Sequence, residues 1–308
     1  MLNALNIKKI VYGTLAACVG LYLLQAFLSP LDPATLVKYN VSELQLRLLS
    51  ATILLPVAVI WFCAAYGFVH FKLYALSIKG SARGKGTNTV ANGLGLIALQ
   101  LLVSGSFSSL SSIYAVKTAL GGDRGVTLIS TALTLVFTLF AAVVLNQGAT
   151  QLNASISKRS KPKFVTDTFY LLSVVSIGFL IAVFLRYSGN DTTASIYDYL
   201  SPGAAIAFVG IPSIIVWNFY LLAGKNLHYF RQHVKGKIYR QSLHWLTTGI
   251  YMILISSVSV QLLGAFADLF ANLKLVALLV IVYVLVAFIG VGFLCIARAA
   301  TKLSTVEN

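Results

Sequence analysis

Charged residues are scarce in this sequence, and carboxylates are the scarcest. Only 10% of the 308 residues are Asp, Glu, Lys or Arg, and Asp and Glu together number 8. A soluble globular domain carries about 25% charged residues, so the deficit excludes an ordinary soluble domain. Cysteine is also rare, and Cys18, Cys63 and Cys295 all fall inside apolar runs. This placement argues against a disulfide framework, because thiols in such positions are usually packing residues.

Long apolar runs take the place of the missing charge. Eight runs approach or exceed the roughly 20 apolar residues that a bilayer core requires. They lie near residues 10–29, 48–70, 90–112, 126–147, 168–187, 203–223, 246–267 and 275–297. Continuous runs of this length predict helices, because the strands of a membrane barrel would alternate over about ten residues. The sequence therefore predicts an all-α, polytopic integral membrane protein with eight transmembrane helices.

The basic residues alternate between the connecting segments. With the amino terminus inside, the inner segments hold seventeen of the 23 Lys and Arg residues and the outer segments hold six. This positive-inside bias predicts that both termini are cytoplasmic. No transit peptide is visible, which favours a plasma or inner cell membrane. The net charge of +15 is then expected to bring the inner loops to anionic lipid headgroups rather than to nucleic acid.

The two halves of the chain share landmarks at an offset of 156 residues. "LPVAVIW" at residues 55–61 and "IPSIIVW" at residues 211–217 have the same Pro-to-Trp spacing. The same offset superimposes other matching positions: Lys79–Gly80 on Lys235–Gly236, Gly93 on Gly249, and Ile97 on Ile253. An even number of spans per half predicts parallel repeats. We expect a first four-helix repeat at residues 1–152, a basic cytoplasmic linker at 153–163, and a second repeat at 164–308.

The second half also resembles a known type of domain. Its mid-helix proline ("GIPSII"), the basic loop that follows and the start of the next span ("LHWLTTGIYMIL") are similar to an uncharacterised prokaryotic four-helix membrane domain of unknown function. The resemblance covers roughly residues 164–300. It implies a four-helix membrane domain, present twice if the first half is a copy, and it implies no activity.

Two prolines lie inside predicted helices. Pro56 and Pro212 each remove a backbone hydrogen bond and clash with the carbonyl four residues earlier. One interpretation is a static kink that improves packing, and the other is a hinge or broken helix that lines a cavity. Trp61 and Trp217 lie deeper than the interfacial belt in which Trp is common. Each is expected to pack between helices or to line a pocket.

A polar stripe marks the third apolar run. Its members share one helical face: Asn92, Gln100, Ser104, Ser108 and Ser111. The seventh run carries Thr248, Ser256 and Ser259. One interpretation is contact between helices through small and hydroxyl side chains, and the alternative is the lining of a polar translocation path. If the halves pack about a two-fold axis, the two stripes are expected to face each other.

Ionisable side chains are absent from the central part of every apolar run. This lowers the expectation of an enzyme or an ion-coupled carrier, because both use titratable groups at fixed positions. We predict no catalytic, metal or cofactor site, with haem at His70, His228 or His244 as the alternative. The segment "KGSARGKGTNT" (residues 79–89) does not match a phosphate loop and is expected to be a flexible, lipid-facing loop.

Two classes of function remain open from the sequence. The first is a non-enzymatic membrane component, that is, a scaffold, an accessory subunit or a lipid-interacting protein. It would contact the bilayer and either a protein partner or a second copy of the chain. The alternative is a permease or channel-like transporter with its path between the two repeats. That path would run near Pro56, Trp61, Gln100, Pro212 and Trp217.

Overall fold

The computed structural model describes residues 4–28, 42–111, 114–156, 172–181, 200–265 and 275–304. Helices and short turns account for all of these residues. The helices are α1 (Ala4–Leu28), α2 (Glu43–Ser77), α3 (Ala82–Ser111), α4 (Tyr114–Ala119), α5 (Gly122–Ala154), α6 (Leu172–Ile181), α7 (Pro202–Ala205), α8 (Ile211–His233), α9 (Lys237–Ala265) and α10 (Leu275–Ser304). A π-helical turn, Ile206–Gly210, joins α7 to α8.

Six segments are long and apolar enough to cross a membrane. They are Val57–Ser77, Ala82–Phe107, Gly125–Ala154, Gly203–His233, Lys237–Leu263 and Tyr283–Ser304. The all-helical membrane class is thus supported, and these segments match six of the eight predicted runs. The first predicted run coincides with the 25-residue helix α1. Only Leu172–Ile181 of the fifth run lies in the described residues, so the count of eight spans stays a prediction.

The six long helices pack in chain order around a closed ring. α2 packs against α3, α3 against α5, α5 against α8, α8 against α9, α9 against α10, and α10 returns to α2. α1 packs against α2 and α3. Four of the six junctions join antiparallel helices that lie next to each other in the ring. The junctions α5–α8 and α10–α2 join helices that run in the same direction.

Close backbone contacts set these directions. A Cβ atom at Gly86 would lie 2.8 Å from Leu152, and one at Gly93 would lie 2.6 Å from Leu145, so α3 and α5 are antiparallel. Glycine at both positions removes the side chain that would otherwise separate the two backbones. In contrast, a Cβ atom at Gly67 would meet Ile296 at 2.6 Å, with Ile60 and Gly290 in contact one to two turns earlier along α2 and α10, which makes that junction parallel.

One end of the ring collects the basic turns, and we call it the basic end. It contains the α2–α3 turn at residues 78–81, the α8–α9 turn at residues 234–236, and the carboxyl-terminal ends of α5 and α10. The Thr87 and Tyr239 hydroxyls lie 3.2 Å apart, which holds the two turns close together. The Arg83 guanidinium lies 5.4 Å from the centre of the Tyr239 ring, a cation–π distance.

The main core extends through all six long helices. Its fully buried apolar side chains include Phe71 of α2, Leu94 of α3, Leu145 and Leu152 of α5, Leu227 and Phe230 of α8, Leu243 and Leu246 of α9, and Ala299, Ala300 and Leu303 of α10. Large apolar side chains remain exposed on the outside of the ring, including Phe140, Phe208, Ile255 and Leu294. In a membrane these exposed side chains would contact lipid tails, which are as apolar as they are.

The prediction of a flexible loop at residues 79–89 is wrong. α3 begins at Ala82, and the Thr87 side chain is only 1% exposed. The glycines in this segment serve close packing: a Cβ atom at Gly86 would contact both the side chain and the backbone nitrogen of Leu152. The second basic loop is equally short, since only Val234–Gly236 separate α8 from α9.

Candidate functional site

Pro212 follows a local change in the hydrogen-bonding pattern of its helix. In the π-helical turn Ile206–Gly210, the Ile211 amide donates to the Ile206 carbonyl five residues earlier. Pro212 has no amide hydrogen to donate, and the wide turn absorbs this defect while the helix continues to His233. α2 runs unbroken through Pro56, whose side chain lies outside the described residues. The expectation of one device repeated in both halves therefore needs correction at this point.

Trp217 lies between helices at the centre of the second half. Its side chain is fully buried, and its indole nitrogen donates to the Ser257 hydroxyl of α9 at 3.2 Å. The Phe179 ring of α6 lies 5.1 Å from the Trp217 ring, at an angle of 52°. An aromatic pair in this geometry contributes about 0.5–1.5 kcal/mol beyond the buried area. Trp217 thus connects α6, α8 and α9.

Trp61 plays a similar packing role in the first half. It is 4% exposed and forms a small apolar cluster with Leu15 of α1 and Leu101 of α3. Gly105 lies against the indole, because a Cβ atom there would be 2.4 Å from the ring. Trp61 therefore connects α1, α2 and α3 through contacts with glycine and leucine.

Ser213 is the unusual polar group beside the π-helical turn. Its hydroxyl is 98% buried, since only 2% of the residue is exposed, and it has no hydrogen-bond partner among the described residues. Ser256, one of the predicted site residues, is also buried but donates to the Met252 carbonyl of its own helix at 2.7 Å. A buried hydroxyl without a hydrogen-bond partner carries a desolvation cost of about 1–3 kcal/mol. Ser213 is therefore a buried polar side chain to which no described residue supplies a hydrogen bond.

The polar stripe of α3 divides between two neighbouring helices. Ser104 lies 3.2 Å from the Thr134 hydroxyl of α5, and Asn92 accepts a hydrogen bond from Lys72 of α2 at 2.8 Å. Gln100 is half-buried, and the side chain of Ser108 lies outside the described residues. The expectation that the α3 and α9 stripes face each other is wrong for Ser104, because its hydroxyl partner belongs to α5.

A cluster of amides at the α5–α8 junction escaped sequence reasoning. Asn153 donates to the Asn226 side-chain oxygen at 3.0 Å. Asn226 in turn donates to Asn146 at 3.1 Å and to Thr150 at 3.3 Å. The available signal was the spacing of residues 146, 150 and 153, which places all three on one face of α5. The cluster fixes one of the two parallel junctions by hydrogen bonds.

The three histidines considered as haem ligands, His70, His228 and His244, lie on different helices. His70 of α2 contacts Tyr66, with ring centres 4.2 Å apart. His244 of α9 accepts from the Arg231 guanidinium, and His228 of α8 lies 3.1 Å from the Gln232 side-chain nitrogen. Within the described part of the chain, no three His, Cys, Asp or Glu side chains come together as metal ligands would.

A basic cavity opens at the α8–α9 turn. Its volume is about 820 Å³, and its lining residues are Arg231, Val234, Lys235, Gly236, Lys237, Arg240, Gln241 and His244. Four of these eight residues are Lys or Arg, and none is acidic. Sequence reasoning counted these cations for topology but missed that the turn at Gly236 (φ 110°) brings two helix ends together around one concave surface.

Comparisons with protein-family models, with curated proteins and with solved structures found no match to this chain. Interpretation of the site therefore depends on its own contacts. These are two buried tryptophans, a π-helical turn beside an unpaired serine, an amide cluster, and a basic cavity.

Proposed function

We propose that this chain is a non-enzymatic component of a cell membrane, a scaffold or accessory subunit that interacts with lipid headgroups at its basic end. The observation that carries the proposal is the filled interior of the ring at that end. Tyr239 lies among Tyr74, Thr87 and Phe230, which belong to three different helices. A solute path through this end of the ring would have to displace a buried aromatic cluster.

The proposal includes two parallel repeats. Gly80 and Gly236, 156 residues apart, both adopt left-handed backbone at the same turn, with φ of 94° and 110°. Gly93 and Gly249, with the same offset, each lie where their helix packs closely against the next long helix of the chain. Matching roles at matching positions support a duplication more strongly than identity of residue type alone.

The ring order also supports the two-fold arrangement. If α2, α3 and α5 correspond to α8, α9 and α10, the α5–α8 junction corresponds to the α10–α2 junction. Both junctions join parallel helices, as a two-fold axis along the membrane normal requires.

Charge favours a cytoplasmic position for the basic end. The described residues of this end include Lys79, Arg83, Lys85, Lys235, Lys237, Arg240, Arg298 and Lys302. The described residues contain two carboxylates, Glu43 and Asp123, and both belong to the amino-terminal ends of helices that finish at the basic end. Positive residues concentrate on cytoplasmic surfaces, so we place the basic end and both termini inside.

A permease is the second candidate, and one observation favours it. The π-helical turn lies directly before α8, and the unpaired Ser213 hydroxyl lies in the first turn of α8. Irregular backbone at membrane depth is tolerated where it lines a cavity. In this alternative the path would pass Pro212 and Trp217 between the halves.

Cysteine labelling separates the two candidates. In a background without Cys18, Cys63 and Cys295, Ser213→Cys would be treated in sealed vesicles with a membrane-impermeant maleimide. The scaffold proposal predicts no labelling of this variant from either side until the protein is denatured. Lys235→Cys is the control, since its exposed position should react from the cytoplasmic side alone.

Rapid labelling of Ser213→Cys in the folded protein would reject the packed interior and favour the permease. The variants must first elute as single peaks in size-exclusion chromatography, which shows that the substitutions leave the fold intact. Labelling of Lys235→Cys from the outside would instead reject the proposed orientation.

A further inference from the structure

We propose that the cavity at the α8–α9 turn is a binding site for a phosphate group, carried by a lipid headgroup or by a soluble phosphate ester. This proposal names the chemical group that the lipid-interacting role would bind. It rests on the proposed function, which puts this turn at the membrane surface. None of the predicted site residues lines this cavity, and neither tryptophan lines it.

Among the described residues, no carboxylate lies at the basic end to neutralise the cations around the cavity. The sequence contains no Asp or Glu from residue 199 to residue 267, which covers α8, α9 and the turn between them. The elements packed nearby at the basic end add Arg83, Lys85, Arg298 and Lys302, and their described residues add no acid there. Four cations on one concave surface repel one another, so an anion bound among them would be stabilised.

The shape of the cavity suits a compact, multiply charged anion. Arg231 lies on the last turn of α8, Arg240 lies on the first turn of α9, and both residues line the cavity. A guanidinium offers paired donors whose fork matches two phosphate oxygens. The hydrogen bond from Arg231 to His244 orients one of these groups before any ligand arrives.

The backbone of the turn leaves room for the ligand. Gly236 lines the cavity, has φ of 110°, and no atom lies within 4 Å of the position its Cβ would occupy. α9 begins directly after it, and the first amides of a helix have no partner within that helix. A volume of about 820 Å³ exceeds that of a bare phosphate, which leaves space for the organic part of an ester.

The equivalent turn of the first half lacks this chemistry. At an offset of 156, the positions of Arg231, Lys237, Arg240 and His244 are occupied by Ala75, Ser81, Gly84 and Asn88. Lys79 alone keeps its charge, opposite Lys235. The cations of the cavity are therefore not required for a Lys-Gly turn with a left-handed glycine, since such a turn forms at Gly80 without them.

Binding to purified full-length protein tests the proposal. One arm measures binding to nanodiscs of phosphatidylcholine that contain a minor fraction of phosphatidic acid, a phosphate monoester lipid. The other arm measures thermal stabilisation by inorganic phosphate and by glycerol phosphate in neutral detergent. The test variant is Arg231→Gln with Arg240→Gln. The matched control is Lys79→Gln with Lys85→Gln, which removes the same charge from the first turn.

We expect the arginine pair to weaken binding by about tenfold or more while the lysine pair changes it little, because charge-assisted paired hydrogen bonds are the strong contacts to phosphate. Binding in the lipid arm assigns a headgroup, binding in the soluble arm assigns a soluble ester, and either result supports the site. The single variant Lys237→Gln, at an exposed position, is expected to weaken binding less than the arginine pair does. Its loss of binding would show that the effect does not come from misfolding of the double variant.

Equal losses from the two pairs would overturn the proposal, because they would show diffuse attraction between a basic surface and an anion. Absence of binding in both arms would also overturn it. Neither outcome affects the packed interior, which the Ser213→Cys labelling tests separately. Conversely, a labelled interior with intact arginine-dependent binding would reject the scaffold role and keep the phosphate site.

Discussion

The α2–α3 turn and the α8–α9 turn share a left-handed glycine but differ in the backbone before it and in their surfaces. Ile78 follows α2 with ψ of 28°, whereas Val234 follows α8 with ψ of 135°. Each contains a Lys-Gly pair in which the glycine is left-handed, and each is followed directly by a long helix. In the first turn, Arg83 lies against the buried Tyr239 ring and contributes to packing between the halves. In the second, Arg231 and Arg240 surround an open cavity. The two turns thus share a left-handed glycine, while the two arginines that line a cavity belong to the second turn.

The same contrast holds around the two tryptophans. Trp61 contacts Leu101 of α3, and Trp217 donates to Ser257, which lies 156 residues after Leu101. The matched positions 101 and 257 therefore hold an apolar side chain in one half and a hydrogen-bonding hydroxyl in the other. Four sets of substitutions measure how far the likeness of the halves extends, from the largest expected effect to the smallest.

Truncation of either tryptophan should cost the most stability. Trp217→Ala and Trp61→Ala are each expected to lower the free energy of unfolding by about 3–5 kcal/mol, because each empties a large buried site. Denaturant titration in detergent micelles measures the loss. Phe140→Ala, at a side chain that is 59% exposed, is the control and should change little. A large loss of stability at only one tryptophan would show that the two side chains do not have equivalent packing roles.

Substitution of the glycines at helix contacts, Gly93 and Gly249, should have the second-largest effect on stability. Gly249→Ala places a Cβ atom 2.8 Å from the Gly292 carbonyl oxygen, a backbone atom that cannot move aside. Gly93→Ala meets mainly the Leu145 side chain, so we expect losses of about 1–3 kcal/mol with Gly249 at the upper end. Melting temperature by light scattering reports both. Gly20→Ala, with no atom within 4 Å, serves as control, and an equal loss there would refute the packing argument.

The turn glycines offer a smaller and more symmetrical test. Gly80→Ala and Gly236→Ala are each expected to cost about 1–2 kcal/mol, since a side chain disfavours left-handed backbone. Asn tolerates this conformation better, so Gly80→Asn and Gly236→Asn should recover part of the loss. Equal losses of stability in the two turns would support the proposed duplication. A loss at one turn only would show that the two turns differ in strain.

Removal of the serine hydroxyl should have the smallest effect. Ser257→Ala deletes the acceptor of the Trp217 indole, and hydrogen bonds between membrane helices average about 0.6 kcal/mol. Tryptophan fluorescence is the sensitive readout, and the emission should shift when the indole loses its partner. Ser256→Ala, which removes a bond within α9, should leave the emission unchanged.

The sequence predicted the membrane class and several packing residues because these depend on run length and spacing. Six of the eight predicted runs coincide with long apolar helices in the structure. Gly93 and Gly249 stood out by their offset, although nothing in the sequence named Leu145 or Gly292 as their contacts. The loop prediction at residues 79–89 failed because Gly and Lys give the composition of a loop, whereas the burial of Thr87 comes from tertiary packing.

The basic cavity and the amide cluster were beyond the reach of the sequence for a related reason. Charges were counted along the chain, and a cavity depends on which of them converge in space. The π-helical turn was also unforeseen, because a proline alone does not reveal whether the helix bends, breaks or widens. Pro56 and Pro212 have similar neighbours and different backbone outcomes.

If the two halves are repeats, the π-helical turn holds one amino acid more than its counterpart. At the offset of 156, Ile206–Gly210 falls on residues 50–54, where α2 is an ordinary α-helix. A bond that spans five residues instead of four holds one more residue, so residues before the turn would correspond at 156 minus one. One residue added to an α-helix rotates what precedes it by about 100°, and the wide turn avoids this rotation. Single-codon gains and losses in related genes are therefore expected at this turn, where the helix can accept them without breaking.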